Sequence, residues 1–124
     1  MMTILGLLFQ SDTIEIKTPP IQQIAPRSIE QIINEAAIEN GIDAEKFLNV
    51  AKCESSLRPD VVGDEGNSIG LWQIHLPSHP DVTEEFARNP VLATAWSAEK
   101  FKKDPTIWSC YRILYGRPIA EIHQ

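Results

Sequence analysis

The sequence predicts a mostly α-helical domain, on three observations. After residue 27, short polar residues that can cap a helix stand repeatedly just before apolar runs. Within these runs the apolar residues recur at intervals of three and four, as they do on the buried face of a helix. Only the glycine-rich stretch 62–74 interrupts this pattern, and its length leaves room for at most a short β-hairpin.

Length and composition fit a single folded domain preceded by a linker. The chain has 124 residues, of which 43% are hydrophobic and 23% are charged, and both values are typical of globular proteins. A chain of this size can bury one core but not two. We therefore assign residues 28–124 to one domain and residues 1–27 to an N-terminal apolar segment and flexible linker.

The N-terminal region contains two unlike stretches. Residues 1–9 are apolar, but no lysine or arginine precedes them and no small-residue cleavage pattern follows them. They are too short to span a bilayer, and a degenerate export segment is favoured over a strand or an arm. Residues 11–27 contain Pro19, Pro20 and Pro26 among polar residues, which predicts an extended linker.

Two helices are predicted to open the domain. Ser28 begins a capping-box pattern and Gly41 is a stop signal, so the first helix should cover about 29–40. Asp43 caps the second helix, which should end before Pro59. An apolar stripe is expected along each helix, made by Ile29, Ile32, Ile33 and Ala36 in the first and by Phe47, Val50, Ala51 and Leu57 in the second.

A single carboxylate interrupts the stripe of the second helix. Glu54 falls near its middle, between Val50 and Leu57. A buried charge without a partner is so costly that the group usually takes up a proton, which means that burial raises the pKa of a carboxyl. A glutamate that stays protonated can serve as a general acid, so Glu54 is the first candidate for a catalytic residue. The alternative is an exposed glutamate at the end of a helix.

Three further helices are predicted in the second half of the chain. A loop should occupy 75–80, and a short helix is expected near 83–88. Beyond it, a capping residue followed by proline occurs twice and starts helices over about 90–103 and 105–115, the last closed by Gly116. In the 90–103 helix, the residues expected to face mostly inward are Val91, Leu92, Ala95, Trp96 and Phe101.

Charge and residue spacing exclude several functional classes. The net charge is −6 and no basic patch stands out, so we expect no nucleic-acid partner. Neither a CxxC motif nor paired Cys/His spacing occurs, and His75, His79 and His123 are scattered along the chain. We therefore expect no metal and no cofactor.

The two cysteines, Cys53 and Cys110, allow two interpretations. A disulfide between them would tie the second helix to the last one, and could stabilise the fold by about 4 kcal/mol by restricting the unfolded chain. Two small buried thiols are the alternative. The disulfide is favoured if the protein lies outside the cytoplasm.

Two short motifs in the middle of the chain resemble a known superfamily. Glu54-Ser55 ends a helix, and the run Gly70-Leu71-Trp72-Gln73-Ile74 follows it. Together they resemble the lysozyme-like superfamily, and most of all its SLT-type lytic transglycosylases and its bacterial or phage lysozyme-like domains. The resemblance covers about residues 42–112. It implies a small lysozyme-like helical domain, expected to be monomeric, which acts on the glycan strand of peptidoglycan outside the cytoplasm, as a secreted, wall-associated or phage protein.

The resemblance also implies roles for individual residues. Glu54 would deliver a proton to the glycosidic oxygen, and Ser55 would hydrogen-bond near it. Gln73 would contact the substrate, while Trp72 would either stack on a sugar or fill the core, and the core is favoured. Tyr111 would correspond to the tyrosine of the family's Ala-Tyr-Asn segment, although the asparagine is missing here.

The position of a second acid distinguishes two mechanisms. In animal lysozymes this acid stands two residues before the glycine of the matching run, and that position is Ser68 here, a candidate substrate-binding residue. The missing acid favours a lytic transglycosylase, in which one glutamate serves as acid and then as base, the sugar's own hydroxyl attacks, and an anhydro product forms without water. A hydrolase that holds a water molecule with Asp64 or Glu65 stays open, although both side chains are expected to face solvent.

Other interpretations also stay open. Trp96 would border the cleft, or would equally well belong to the core, given its helical spacing. The whole domain could be a catalytically silent peptidoglycan-binding or virion-structural domain that keeps the fold. A helical partner-binding module is a further alternative, and it would present an exposed apolar groove with Glu54 in water.

Overall fold

The computed structural model describes residues 26–116. Within this range five α-helices surround a small sheet. The apolar stretch 1–9 and most of the predicted linker lie outside the described residues. The helices are α1 (Ile29–Asn40), α2 (Ala44–Ser55), α3 (Glu84–Arg88), α4 (Pro90–Lys103) and α5 (Ser109–Tyr115), and the strands are β1 (Val62–Gly63), β2 (Ser68–Ile69) and β3 (Ile74–His75).

Helix α1 has the predicted bounds because local capping fixes both of its ends. The Ser28 hydroxyl accepts a hydrogen bond from the Gln31 amide at 3.1 Å, and the Gln31 side chain accepts one from the Ser28 amide at 2.8 Å. Gly41 ends the helix in the left-handed conformation, with φ 67°. The predicted helix at 29–40 is confirmed.

Helix α2 begins as predicted but ends before the last residue of its expected stripe. The Asp43 side chain accepts a hydrogen bond from the Lys46 amide at 3.0 Å and caps the helix. Ser56 and Leu57 both adopt left-handed conformations, with φ 56° and 61°, which stops the helix at Ser55. Leu57 therefore packs against the core from a turn and not from the helix.

The sheet comes between α2 and α3 along the chain, and its strands are antiparallel in the order β1–β2–β3. Val62 pairs with Ile69, and Ser68 pairs with His75. The predicted mostly α fold is confirmed, and the sheet has one strand more than a hairpin, since β3 reaches into the stretch expected to be a loop. Gly70 has φ 86°, and a Cβ there would overlap the Ala87 carbonyl oxygen, so only glycine fits between β2 and α3.

Helix α4 starts at the predicted proline but turns a different face inward. Its buried residues are Ala93, Thr94, Ser97, Ala98 and Phe101. Val91 and Leu92 are 42% and 46% exposed and Ala95 is exposed, so the predicted inward face is wrong at these three positions. Phe101 is buried and Trp96, partly buried, packs against the core, as predicted. The reason is close packing: α4 lies against α1, and small side chains let the two helices approach.

The prediction of one continuous helix over 105–115 is also wrong. A 3₁₀ turn, Pro105–Ile107, is followed by an extended residue, Trp108, and only then by α5. The buried Trp108 indole donates a hydrogen bond to the Trp72 carbonyl at 3.1 Å. This long-range contact stabilises Trp108 in its extended conformation and so accompanies the break in the helix.

The core joins these elements through stacked aromatic rings. Phe47 of α2 lies 4.2 Å from Trp72 and 5.1 Å from Phe101 of α4, measured between ring centroids. Trp108 completes the group at 6.0 Å from Trp72. Helices α2 and α4, the sheet and the start of α5 are thus held by one cluster. No helix within residues 26–116 is long and apolar enough to cross a membrane.

Candidate active site

A groove of about 360 Å³ opens at the C-terminal end of α2. Its walls come from the small sheet on one side and from the segment that leads into α5 on the other. The groove places polar and charged side chains beside one indole ring, a lining suited to a polar ligand with flat apolar faces. The residues that line it are Glu54, Gly63, Asp64, Ser68, Gln73, His75, Ile107, Trp108, Ser109 and Arg112.

Glu54 lines this groove from the last turn of α2 and is partly buried. One carboxylate oxygen accepts a hydrogen bond from the backbone amide of Cys110 at 3.3 Å. Burial is the largest influence on this group and raises its pKa above the usual 4.5. The Cys110 amide lowers the pKa, the negative charge of Asp64 raises it, and the Arg112 guanidinium lowers it. The net increase favours the protonated form that a general acid needs.

Glu54 is flanked by a covalent link between α2 and α5. Cys53 and Cys110 form a disulfide, with their Cα atoms 5.9 Å apart. Cys53 directly precedes Glu54 in the chain, and Cys110 supplies the amide that contacts the Glu54 carboxylate. The disulfide and the hydrogen bond therefore join the same two segments.

The loop between β1 and β2 brings a second carboxylate to the groove. Asp64 begins a 3₁₀ turn in a left-handed conformation, with φ 49°. Its side chain is exposed to solvent but lines the groove, and it accepts a hydrogen bond from the Ser68 hydroxyl. Glu65 is exposed and does not line the groove. Asp64 and Glu65, adjacent in sequence, thus have different surroundings.

Gln73 and Ser68 are the predicted substrate contacts that lie in the groove with Glu54. Gln73 has φ 48°, and its side-chain nitrogen donates hydrogen bonds to the carbonyls of Val61 at 3.1 Å and Gly70 at 3.0 Å. Its carboxamide oxygen lies against Gly63, where a Cβ would overlap it. The amide nitrogen is occupied by the protein, so the oxygen is the atom of Gln73 that is left for a ligand.

Two predicted contacts are buried away from the groove. Trp72 has no exposed surface, stacks on Phe47, and donates its indole hydrogen to the Thr94 hydroxyl at 2.9 Å. It belongs to the core and cannot stack on a sugar. Ser55 is also buried, and its hydroxyl donates to the Ala51 carbonyl at 3.1 Å, one turn back along α2. It hydrogen-bonds back to its own helix and does not bond to Glu54.

Tyr111 is the third predicted contact that the structure places elsewhere. Its ring packs edge-on against Phe101 at 5.5 Å and lies 5.2 Å from the ring of Tyr115. It lines a separate hollow beside Lys103 and not the groove at Glu54. The structure thus places Tyr111 outside the groove that Glu54 lines, because α5 begins later than predicted and its rotation turns Tyr111 away from that groove.

Comparison with known proteins gives a family for this fold and groove. Residues 31–106 match the transglycosylase SLT domain family. The matched segment is more than half of the chain and contains Glu54, the sheet and most of the groove. The chain belongs to the transglycosylase SLT domain family. No curated protein and no solved structure matches the chain.

Part of the groove in this SLT domain comes from residues that sequence reasoning missed. Ser109 and Arg112 line the groove from α5, beyond the end of the family match. They are three positions apart and so share a face of the helix. The pairing of Cys110 with Cys53 was the available signal, since a disulfide there places the start of α5 next to Glu54.

A second hollow of about 310 Å³ extends the SLT groove toward α4. The two share a common wall, made by Gln73, His75, Ile107 and Trp108. Trp96 lines the far side, where the His79 ring meets it edge-on at 4.9 Å. Trp96 thus borders the cleft, which was one of its two predicted positions. The two hollows therefore lie side by side, with Glu54 lining one and Trp96 the other.

The described part of this SLT domain, residues 26–116, contains no group of three or more His, Cys, Asp or Glu side chains placed to hold a metal ion.

Proposed function

We propose that this SLT domain cleaves the β-1,4 glycosidic bond of peptidoglycan glycan strands, as a lytic transglycosylase with Glu54 as its catalytic acid. The observation that carries the proposal is a partly buried carboxyl with a raised pKa that lines a groove of about 360 Å³. Membership of the family supports the substrate class. A domain that acts on peptidoglycan works outside the cytoplasm, where a disulfide such as Cys53–Cys110 persists.

In the proposed reaction Glu54 gives its proton to the glycosidic oxygen as the bond to the sugar breaks. Positive charge develops on the sugar ring, which the carboxylate left on Glu54 stabilises. The same carboxylate then takes the proton from a hydroxyl of that sugar as the hydroxyl oxygen attacks the ring carbon. An anhydro sugar forms, no water is consumed, and Glu54 is again protonated.

The neighbours of Glu54 support both halves of this cycle. Burial favours the protonated carboxyl before cleavage, while the Cys110 amide and the Arg112 guanidinium favour the carboxylate that cleavage leaves behind. Asp64 adds negative charge to the groove, where the positively charged ring would form. We further propose that one chain is sufficient, since a single protomer supplies every one of these groups.

A second candidate function is hydrolysis of the same bond, and the position of Asp64 favours it. Asp64 lines the groove together with Glu54 and is held by the Ser68 hydroxyl. A carboxylate across the groove from the acid could hold a water molecule and take its proton, as in inverting glycosidases. Ser68 would then act by orienting Asp64. A catalytically silent wall-binding domain is the alternative without chemistry.

Product analysis tests the proposal. The full chain is incubated with purified peptidoglycan, and the released fragments are identified by mass spectrometry. Anhydro ends are expected, whereas reducing ends would assign hydrolysis and replace the transglycosylase proposal. Glycan binding without any product would overturn the enzymatic proposal altogether.

A matched pair of variants tests the role of Glu54. Glu54→Gln keeps the shape of the side chain and can still accept the Cys110 amide, but it has no proton to give. We expect product release to fall by a factor of about 10² to 10⁴, the usual contribution of a general acid. Glu65→Gln removes one carboxylate from the neighbouring loop, outside the groove, and should retain wild-type rates. Undiminished release by Glu54→Gln would rule out its role.

A further inference from the structure

The Cys53–Cys110 disulfide links the two residues that lie next to the candidate acid, Glu54. Cys53 is bonded through the backbone to Glu54, and Cys110 donates its amide hydrogen to the Glu54 carboxylate at 3.3 Å. One covalent bond therefore sets the distance between the residue before the acid and the residue that contacts it. We propose that the Cys53–Cys110 disulfide is a positioning element, which holds the start of α5 over Glu54 and so keeps the acid desolvated and hydrogen-bonded.

Helix α5 has few other anchors near Glu54. Cys110 is its one buried residue, and Ile113 and Leu114 are 75% and 45% exposed. At the far end of α5, the Tyr115 hydroxyl accepts a hydrogen bond from Asn49 at 3.0 Å. Tyr111 packs edge-on against Phe101 and the Arg112 guanidinium donates to the Thr106 carbonyl, but neither contact reaches α2. The disulfide joins the turn that carries the Cys110 amide directly to the residue before Glu54.

The residue before α5 is anchored independently. Trp108 is buried and hydrogen-bonded to the Trp72 carbonyl, so it fixes where the helix starts. It does not fix the rotation of the helix, which carries Ser109 and Arg112 into the groove. Loss of the disulfide should therefore leave the core intact and loosen the wall of the groove at Glu54.

The inference rests on the proposed function of Glu54 and makes a specific statement about its pKa. If α5 moves away, water reaches the carboxyl, and the largest cause of the raised pKa is removed. Loss of the Cys110 amide and of the nearby Arg112 guanidinium acts in the opposite direction, and each of these is a smaller influence than burial. Of the charged groups that line the groove, Arg112 moves with α5, whereas Asp64 and His75 stay on the sheet side. The pKa of Glu54 should therefore fall toward its ordinary value.

The bond is open to reduction from solvent, because Cys53 is exposed. A dithiol reductant breaks the sulfur–sulfur bond and is itself oxidised to a disulfide. The two electrons and two protons that it gives up convert Cys53 and Cys110 to thiols. Reoxidation reverses the change, which lets the same sample be measured in both states.

The test compares the oxidised full chain, its reduced form and the double variant Cys53→Ser with Cys110→Ser. The pKa of Glu54 is followed by carbon NMR of its carboxyl, and kcat and KM for glycan release are measured across pH. We expect a lower pKa of Glu54, a shift of the basic limb of the kcat profile to lower pH, and a loss of about tenfold or more in kcat, since small displacements at a reacting group are costly. KM should change less, and reoxidation should restore the wild-type values.

A matched control removes a different anchor of the same helix. Tyr115→Phe loses the hydrogen bond from Asn49 but leaves the disulfide in place. It should keep the wild-type pKa of Glu54 and the wild-type pH profile. An equal shift in this variant would mean that any loosening of α5 suffices, and would overturn the specific role of the disulfide.

The remaining outcomes are separable from those of the proposed function. A folded double variant with an unchanged pKa of Glu54 and unchanged kcat would overturn the inference. If the serine variant does not fold, Cys53→Ala with Cys110→Val replaces the bond with apolar atoms and is measured instead. If the oxidised wild type releases no glycan product, the proposed function fails, while the NMR comparison still decides whether the disulfide positions Glu54.

Discussion

The hydroxyl of Ser68 donates a hydrogen bond to the carboxylate of Asp64 across the turn that joins the first two strands. Ser68 is itself buried, so it offers Asp64 a donor that does not move. The bond holds Asp64 on the rim of the groove, and its negative charge raises the pKa of Glu54. Ser68 stands at the position where animal lysozymes carry their second acid. Here it keeps the neighbouring carboxylate of Asp64 in place.

The first prediction concerns the charge of Asp64. Asp64→Asn removes a negative charge that raises the pKa of Glu54, so that pKa should fall. Because the acid must be protonated to act, the basic limb of the pH–activity profile should move to lower pH. Ser68→Ala, which frees Asp64, should give a smaller shift in the same direction.

Glu65→Gln is the matched control for this shift, since Glu65 lies in the same turn but outside the groove. It should leave the pH profile unchanged. Under the transglycosylase proposal, Asp64→Asn still yields anhydro products, measured by mass spectrometry. Complete loss of product in Asp64→Asn would instead assign the second carboxylate an essential role and favour hydrolysis.

The second prediction is a pH dependence of stability. The pKa of Glu54 is higher in the folded protein than its usual 4.5, so between these two values the folded state binds more protons than the unfolded state. The free energy of unfolding therefore falls as pH rises through this window. Glu54→Gln lacks this loss, so its Tm relative to wild type should increase from pH 4 to neutral pH. Both Tm values are measured by thermal unfolding followed by circular dichroism. A difference in Tm that stays constant with pH would contradict the raised pKa of Glu54.

The third prediction concerns the close approach of Gln73 to Gly63. Gly63→Ala places a methyl group where the carboxamide oxygen of Gln73 now lies. The carboxamide must move, and its nitrogen loses the bonds to the Val61 and Gly70 carbonyls. We expect KM for glycan to rise and stability to fall by about 1 kcal/mol per hydrogen bond lost.

A double-mutant cycle isolates this contact. In a Gln73→Ala background no carboxamide remains to be displaced, so Gly63→Ala should have little further effect on KM or on stability. Independent, additive effects of the two substitutions would show that Gly63 matters for another reason. Backbone strain is not one, since Gly63 has φ −127°, which alanine adopts readily.

The bounds of most helices could be predicted because their determinants are local. Ser28 with Gln31 caps α1, and Asn89 accepts hydrogen bonds from two amides at the start of α4. These contacts span three residues or fewer, so the sequence contains both partners of each. The buried face of α4 was not predictable in this way, because it depends on how closely α1 approaches, and Thr94 is buried while Leu92 is not.

The sequence allowed the candidate acid of the site, Glu54, to be predicted. It did not allow the groove wall formed by α5 to be predicted. Glu54 could be found because a carboxylate on an apolar stripe is anomalous within its own helix. The choice of Arg112 over Tyr111 depends on where α5 starts and on how it is rotated, and its start follows from the break at Trp108. That break is accompanied by a hydrogen bond to the carbonyl of Trp72, and no local pattern encodes a contact between such distant residues.

The fourth prediction tests the core role of Trp72. Trp72→Phe removes the indole donor, so the buried Thr94 hydroxyl loses its hydrogen-bond donor. This loss should lower the free energy of unfolding by about 1–3 kcal/mol. Thr94→Val removes the acceptor, so in that background Trp72→Phe should cost less, as chemical denaturation can measure. Glycan affinity should stay near the wild-type value in both variants, because Trp72 has no exposed surface. A large loss of affinity at unchanged stability would instead mean that the indole reaches the sugar.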